Sequence, residues 1–200
     1  MSVFNKLLAI YILMFGAFAG NANAQNTGNK YKEVDYPTPN IAVGKTNDVQ
    51  GVILHHTAEP TIQSSLRVLT VGDRHVGTHV VIDNDGTRYI MAKPSQVTFH
   101  AGNSILAGRE GCNNFTIGIE FQGNTLEHPL TTEQINSAIE YLKPLIKQYK
   151  IPLDNIVTHE MVRNAYKKKY PQKRCSGKID ITQVQYQRFM KSLRKAMSPK

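Results

Sequence analysis

The chain has 200 residues, room for one domain but not comfortably two. Its 40% apolar and 20% charged residues strike a normal globular balance, with no internal repeat or long low-complexity segment, and two cysteines are too few for a disulfide scaffold. The formal net charge of +9 suits a polyanionic partner, or else marks a solvated basic face that only aids solubility.

At the start of the chain, Lys6 precedes an apolar run from Leu7 to Ala19, and Ala22-Asn23-Ala24 offers a small-x-small cleavage site before Gln25. This is the anatomy of a secretory signal peptide. An apolar run of about 13 residues is short of the roughly 20 that span a bilayer. A leader over residues 1–24 is therefore expected, giving a secreted or periplasmic protein with no transmembrane segment in the mature chain. The polar residues 25–35 read as a flexible lead, and residues 36–198 as one domain, expected to be a monomer.

Tyr36-Pro37-Thr38-Pro39 brings the chain into the domain in extended form. Residues 49–54 read as a buried strand because Val52, Ile53 and Leu54 are contiguous and apolar. Residues 61–71 suit a helix after Pro60. Residues 78–83 and 87–91 are short β-rich runs flanking Asp83-Asn84-Asp85-Gly86, a hairpin signal. The same four residues begin like a calcium loop, but loop position 12 is Pro94, so the turn is preferred. Residues 116–121 form a further strand. Thr131 with Gln134 makes a capping box for a helix to about Tyr149, with Pro144 expected to kink it. Ile156-Val157 reads as a short strand delivering Thr158 and His159, residues 163–178 as a basic loop, and residues 181–197 as a closing helix. Alternating strands and helices give an α/β domain with a central mixed sheet flanked by helices.

Two of the seven histidines, His55 and His159, stand at the ends of apolar strands. A strand end is rigid on one side and open on the other, which suits a metal ligand. With Cys175 they make a His/His/Cys set of the kind a catalytic zinc uses beside a water. Cys175 could instead pair with Cys112 in an exported protein. His159-Glu160 does not open a helical zinc-protease motif, because position 163 is Arg163. Along residues 116–121, strand alternation puts Thr116, Gly118 and Glu120 on one face. Small residues around an acid suit the floor of a site.

Four segments together resemble the zinc-dependent N-acetylmuramoyl-L-alanine amidases, a family that includes phage amidase-lysozymes and animal peptidoglycan recognition proteins. They are Val52-Ile53-Leu54-His55-His56-Thr57-Ala58, then Phe99-His100-Ala101-Gly102, then residues 108–120 from Gly108-Arg109-Glu110 to Ile119-Glu120, which look closest to the bacterial branch. The fourth is His159 followed by Lys173-Arg174-Cys175, like the family's His and Lys-x-Cys or Lys-x-Asp. The resemblance implies an amidase and peptidoglycan-recognition-like fold. It also implies hydrolysis of the bond between N-acetylmuramic acid and L-alanine in peptidoglycan or muropeptides. It implies Zn2+ held by His55, His159 and Cys175, Glu120 as general base, and Lys173 at the oxyanion, with His100, His56 and Arg109 as substrate contacts. No nucleic-acid partner is expected. A recognition module that binds peptidoglycan without cutting it, and a metal-free cysteine hydrolase using Cys175 with His159, are the rival readings.

Overall fold

The computed structural model describes residues 30–71, 75–175 and 180–198. The expected leader over 1–24, residues 25–29 of the lead, and Lys178 lie outside these residues.

In chain order the strands are β1 (Glu33–Asp35), β2 (Ile41–Thr46), β3 (Gly51–His56), β4 (Val80–Ile82), β5 (Arg88–Ile90), β6 (Gln96–Thr98), β7 (Ile105–Leu106), β8 (Arg109–Glu110), β9 (Thr116–Phe121) and β10 (Ile156–Thr158). The helices are α1 (Ile62–Thr70), α2 (Thr132–Tyr149), α3 (His159–Lys169) and α4 (Gln183–Met197). Six strands form one sheet in the order β1-β5-β4-β9-β3-β10. The β4–β5 hairpin is antiparallel and the other four pairings are parallel, so the sheet is mixed, as expected.

Alternation along the central strands divides the core. Val52 and Leu54 of β3, with Ile117, Ile119 and Phe121 of β9, face α2 and α4 and meet Ala138, Leu142, Phe189 and Leu193. Ile53 of β3 faces the other way, against Val157, Phe115, Cys112 and Val162 of α3. Helix α1 covers the same sheet farther along, with Leu66 and Leu69 over Val81 and Met91. Such burial of aliphatic side chains stabilises the fold by about 1.5–3 kcal/mol each. Helix α2 starts with the expected capping box, the Thr131 side chain accepting from the backbone N–H of Gln134, and it runs on through Pro144.

Two stretches differ from expectation. Glu33–Asp35 is a strand rather than part of a flexible lead, paired in parallel with β5. The cause is Arg88, 1% exposed, whose guanidinium bonds Glu33 at 2.9 Å, Glu140 at 3.1 Å and the Ser137 carbonyl at 3.1 Å. A buried guanidinium needs such partners, and meeting that need ties β1 to β5 and α2. The first part of the expected basic loop is instead helix α3. Thr158 caps it, accepting from the Met161 N–H, and Lys167, Lys168 and Lys169 sit in its last turn, where a helix favours cations.

Candidate active site

The site sits at the carboxyl ends of three neighbouring parallel strands, β9, β3 and β10, where open α/β sheets offer a crevice. Register does the placing. His55 is directly opposite Glu120, and Leu54 is opposite Thr158, so His159 follows one step past the sheet edge as the first residue of α3. His55, Glu120 and His159 all line one cleft of about 600 Å³.

His55 Nδ1 lies 3.2 Å from Asp180 Oδ2, and His159 Nδ1 lies 3.1 Å from the same oxygen. Asp180 is fully buried. Its other oxygen accepts from the backbone N–H groups of His56 at 2.7 Å and Ile181 at 3.2 Å, which fixes the carboxylate plane. The three residues form a group whose donor atoms all lie within 4.8 Å of one another.

Proton counting shows that this group fits a metal. His159 Nε2 faces the Ala101 carbonyl at 3.2 Å, and a carbonyl only accepts, so Nε2 carries the ring proton. The neutral ring then turns the Nδ1 lone pair toward a carboxylate oxygen, acceptor against acceptor. An electrophile has to lie between them. Protonating both rings would set two imidazoliums with centres 5.0 Å apart in a buried place. One divalent cation satisfies both rings and the carboxylate together. The separations of 3.1 and 3.2 Å are close to the edge of about 3.3 Å in a tetrahedron with bonds of about 2.05 Å, the length zinc makes to imidazole and carboxylate.

Asp180 was not among the residues singled out from the sequence. Cys175, expected as third ligand, is a half-buried free thiol outside the ligand group, and Cys112 is free and buried, so the two do not pair. The third member of the group that faces both imidazoles is thus Asp180 rather than Cys175. Lys173 is exposed, its ammonium 4.4 Å from the centre of the Tyr170 ring and 5.9 Å from that of Tyr166, and it does not line the cleft. His56 points to the opposite face of β3 from His55. It is buried, and its Nδ1 accepts from the Thr125 N–H at 3.0 Å, away from the cleft. Arg109 is also outside the cleft: it pairs with Asp48 at 2.8 Å and lies over the Phe115 ring at 4.3 Å. His100 does line the cleft. Burial, and then the charges of neighbouring His55, His79 and His159, hold its pKa well below the usual imidazole range.

His79 lies behind this floor, fully buried. Its Nε2 donates to the Gln96 carbonyl at 2.9 Å and its Nδ1 accepts from the Gly118 N–H at 3.0 Å. Burial pushes its pKa down to about 4 from the ordinary 6.5. Because the folded value is the lower one, the unfolded chain binds more protons between these two values. Stability is therefore full at pH 7 and declines as pH falls from about 6.5 toward 4. The urea midpoint is expected to drop across that window, and to drop less steeply in His79→Gln. Equal slopes would remove His79 as the source.

Comparison with known proteins bears on the family and the fold. Residues 45–178 match the N-acetylmuramoyl-L-alanine amidase family. The 1,6-anhydro-N-acetylmuramyl-L-alanine amidase AmpD of Haemophilus influenzae is 40% identical over 87 residues, 42% of this chain and 46% of that one. The chain thus spans about half the length of the curated relatives it matches. A selenomethionine derivative of AmpD shares the fold, with a TM-score of 0.58 at 18% identity, covering 78% of this chain and 92% of that one. AmiD of E. coli, solved with anhydro-N-acetylmuramic acid-L-Ala-D-γ-Glu-L-Lys, superposes with a TM-score of 0.52 at 25% identity, over 60% of this chain and 52% of that one.

Proposed function

The chain belongs to the N-acetylmuramoyl-L-alanine amidase family, and from that premise we propose that it hydrolyses the amide between N-acetylmuramic acid and L-alanine in peptidoglycan or its muropeptide fragments, with zinc held by His55, His159 and Asp180. The observation that carries the reading is the convergence of both imidazole Nδ1 atoms on one buried carboxylate oxygen, on the strand row that also holds Glu120. Held by these three residues, zinc would lower the pKa of a bound water to about 7 and would polarise the scissile carbonyl.

The chain's own residues do the rest. Glu120, 7% exposed and level with His55, takes a proton from the attacking water and returns it to the departing L-alanine amine. A cation near the carbonyl oxygen would offset the charge that develops there. Lys173, expected in that role, does not line the cleft. Asn113 holds the cleft wall by accepting, through Oδ1, from the backbone N–H groups of His100 at 3.0 Å and Ala101 at 2.7 Å. The anionic wall polymer suits the chain's positive charge, and the leader expected over 1–24 would put the activity outside the cytoplasm.

The test is to incubate the mature chain, residues 25–200, with peptidoglycan in the presence and absence of a chelator and to identify products by mass spectrometry. Stem peptides with a new L-alanine N-terminus, lost on chelation and restored by zinc, are the expected result. Bound peptidoglycan with no released peptide would point to a recognition module, and chelator-resistant release to a metal-free hydrolase.

A further inference from the structure

We propose that His100 is a positioning residue that fixes the tautomer of His55, and that it does so through a relay of hydrogen bonds running to a backbone carbonyl. The inference rests on the zinc reading above and assigns a task to residues behind the ligands.

The relay starts at the Cys112 carbonyl, which accepts from the Thr116 hydroxyl at 2.7 Å. That bond uses the one proton Thr116 Oγ1 has. Toward His100 Nε2, 3.3 Å away, Oγ1 is left only lone pairs, so His100 Nε2 is the donor. The neutral His100 ring then presents an Nδ1 lone pair. His55 Nε2 lies 3.2 Å from it and has to donate. The His55 proton is thus spent on Nε2, and its Nδ1 lone pair faces Asp180. Each step is dictated by the one before, back to a carbonyl that cannot donate.

The surroundings hold the relay in place. A Cβ built on Gly118 would come within 2.7 Å of His100 Cγ and 2.8 Å of its Nδ1, so the strand carries glycine where the imidazole is seated. Thr116, Gly118 and Glu120 thus form one face of β9 with three tasks: proton anchor, ring seat and acid. The two backbone bonds to Asn113 pin residues 100 and 101 together. This dipeptide then sets both ligand rings, His55 through the His100 imidazole and His159 through the Ala101 carbonyl. Ligating histidines generally need such an outer partner, and its loss typically costs about 10–100-fold in metal affinity.

The experiment has two readouts besides turnover. Long-range proton–nitrogen NMR of the zinc-loaded wild-type chain is expected to find the ring proton of both His100 and His55 on Nε2. Zinc affinity, measured by competition with a colorimetric chelator, is expected to fall about 10–100-fold in Thr116→Val, which keeps the shape but removes the hydroxyl. Thr116→Ser should hold zinc as the wild type does. A wild-type His100 protonated on Nδ1, or a folded Thr116→Val with unchanged zinc affinity, would overturn the relay alone, provided His55→Ala still abolishes zinc uptake. A wild-type chain that takes up no zinc would overturn the relay and the proposed site together. The wild-type NMR spectrum decides the matter even if Thr116→Val does not fold.

Discussion

Asp180→Ala is expected to yield a chain without stoichiometric zinc and with amidase turnover reduced by three orders of magnitude or more, while Cys175→Ser keeps both. Three orders of magnitude correspond to about 4 kcal/mol of barrier. The reason lies in how few atoms would hold the ion in the proposed site. Asp180 Oδ2 is the one oxygen on which both Nδ1 atoms converge, and Oδ1 is occupied by two backbone N–H groups. Alanine removes the only anionic member of the set and leaves two neutral imidazoles, too few for a catalytic zinc with three protein ligands. Cys175 is a free thiol outside that group, so its oxygen analogue should be tolerated. Metal content by plasma mass spectrometry and release of stem peptides read the two properties separately. Zinc retained by Asp180→Ala, or lost from Cys175→Ser, would return the thiol to the ligand set.

Glu120→Gln is expected to lose turnover roughly a thousandfold, within the range for removing a general acid–base, while holding one zinc per chain and nearly the wild-type KM. The amide matches the carboxylate in shape but cannot receive a proton. Glu120 sits between His55 on one side and Val81 on the other in the sheet register, so its backbone is held by two strands and the substitution should not move it. A kcat within tenfold of wild type would sink the general-base assignment. Loss of zinc from this variant would place Glu120 among the ligands instead.

Much of this site can be read from the chain. Residues that end contiguous apolar runs, His55 after Leu54 and His159 after Thr158, do stand at neighbouring strand ends. The alternation around Glu120 correctly puts Thr116 and Gly118 on its face. The same parity separates His56 from His55, since a step of one residue along a strand reverses the face, and it turns His56 away from the cleft. The third ligand of the proposed site was harder. Lys173-Arg174-Cys175 and Lys178-Ile179-Asp180 offer the same spacing five residues apart, in a stretch with no periodicity to choose between them. Thiolate chemistry favours the first, and the structure puts the last residue of the second, Asp180, against the backbone of His56 and both imidazoles. Helix α3 was obscured for a related reason. Its buried residues are Val162 and Tyr166, a narrow stripe on a helix otherwise dominated by charge. Strand β1 has three residues, and its reason for existing is a buried guanidinium 55 positions away.

His55 and Asp180 are 125 residues apart along the chain, yet meet in the proposed metal site. A metal held there acts as a removable staple closing a loop that takes in most of the domain. Ligand binding confined to the native state adds RT ln(1 + [L]/Kd), about 4 kcal/mol at a thousandfold excess over Kd. Under the proposed site, the durability of the fold becomes a function of zinc supply. The protein would then outlast its surroundings in zinc-rich medium and become prone to degradation where zinc is withheld, so that scarcity would set its abundance as well as its rate.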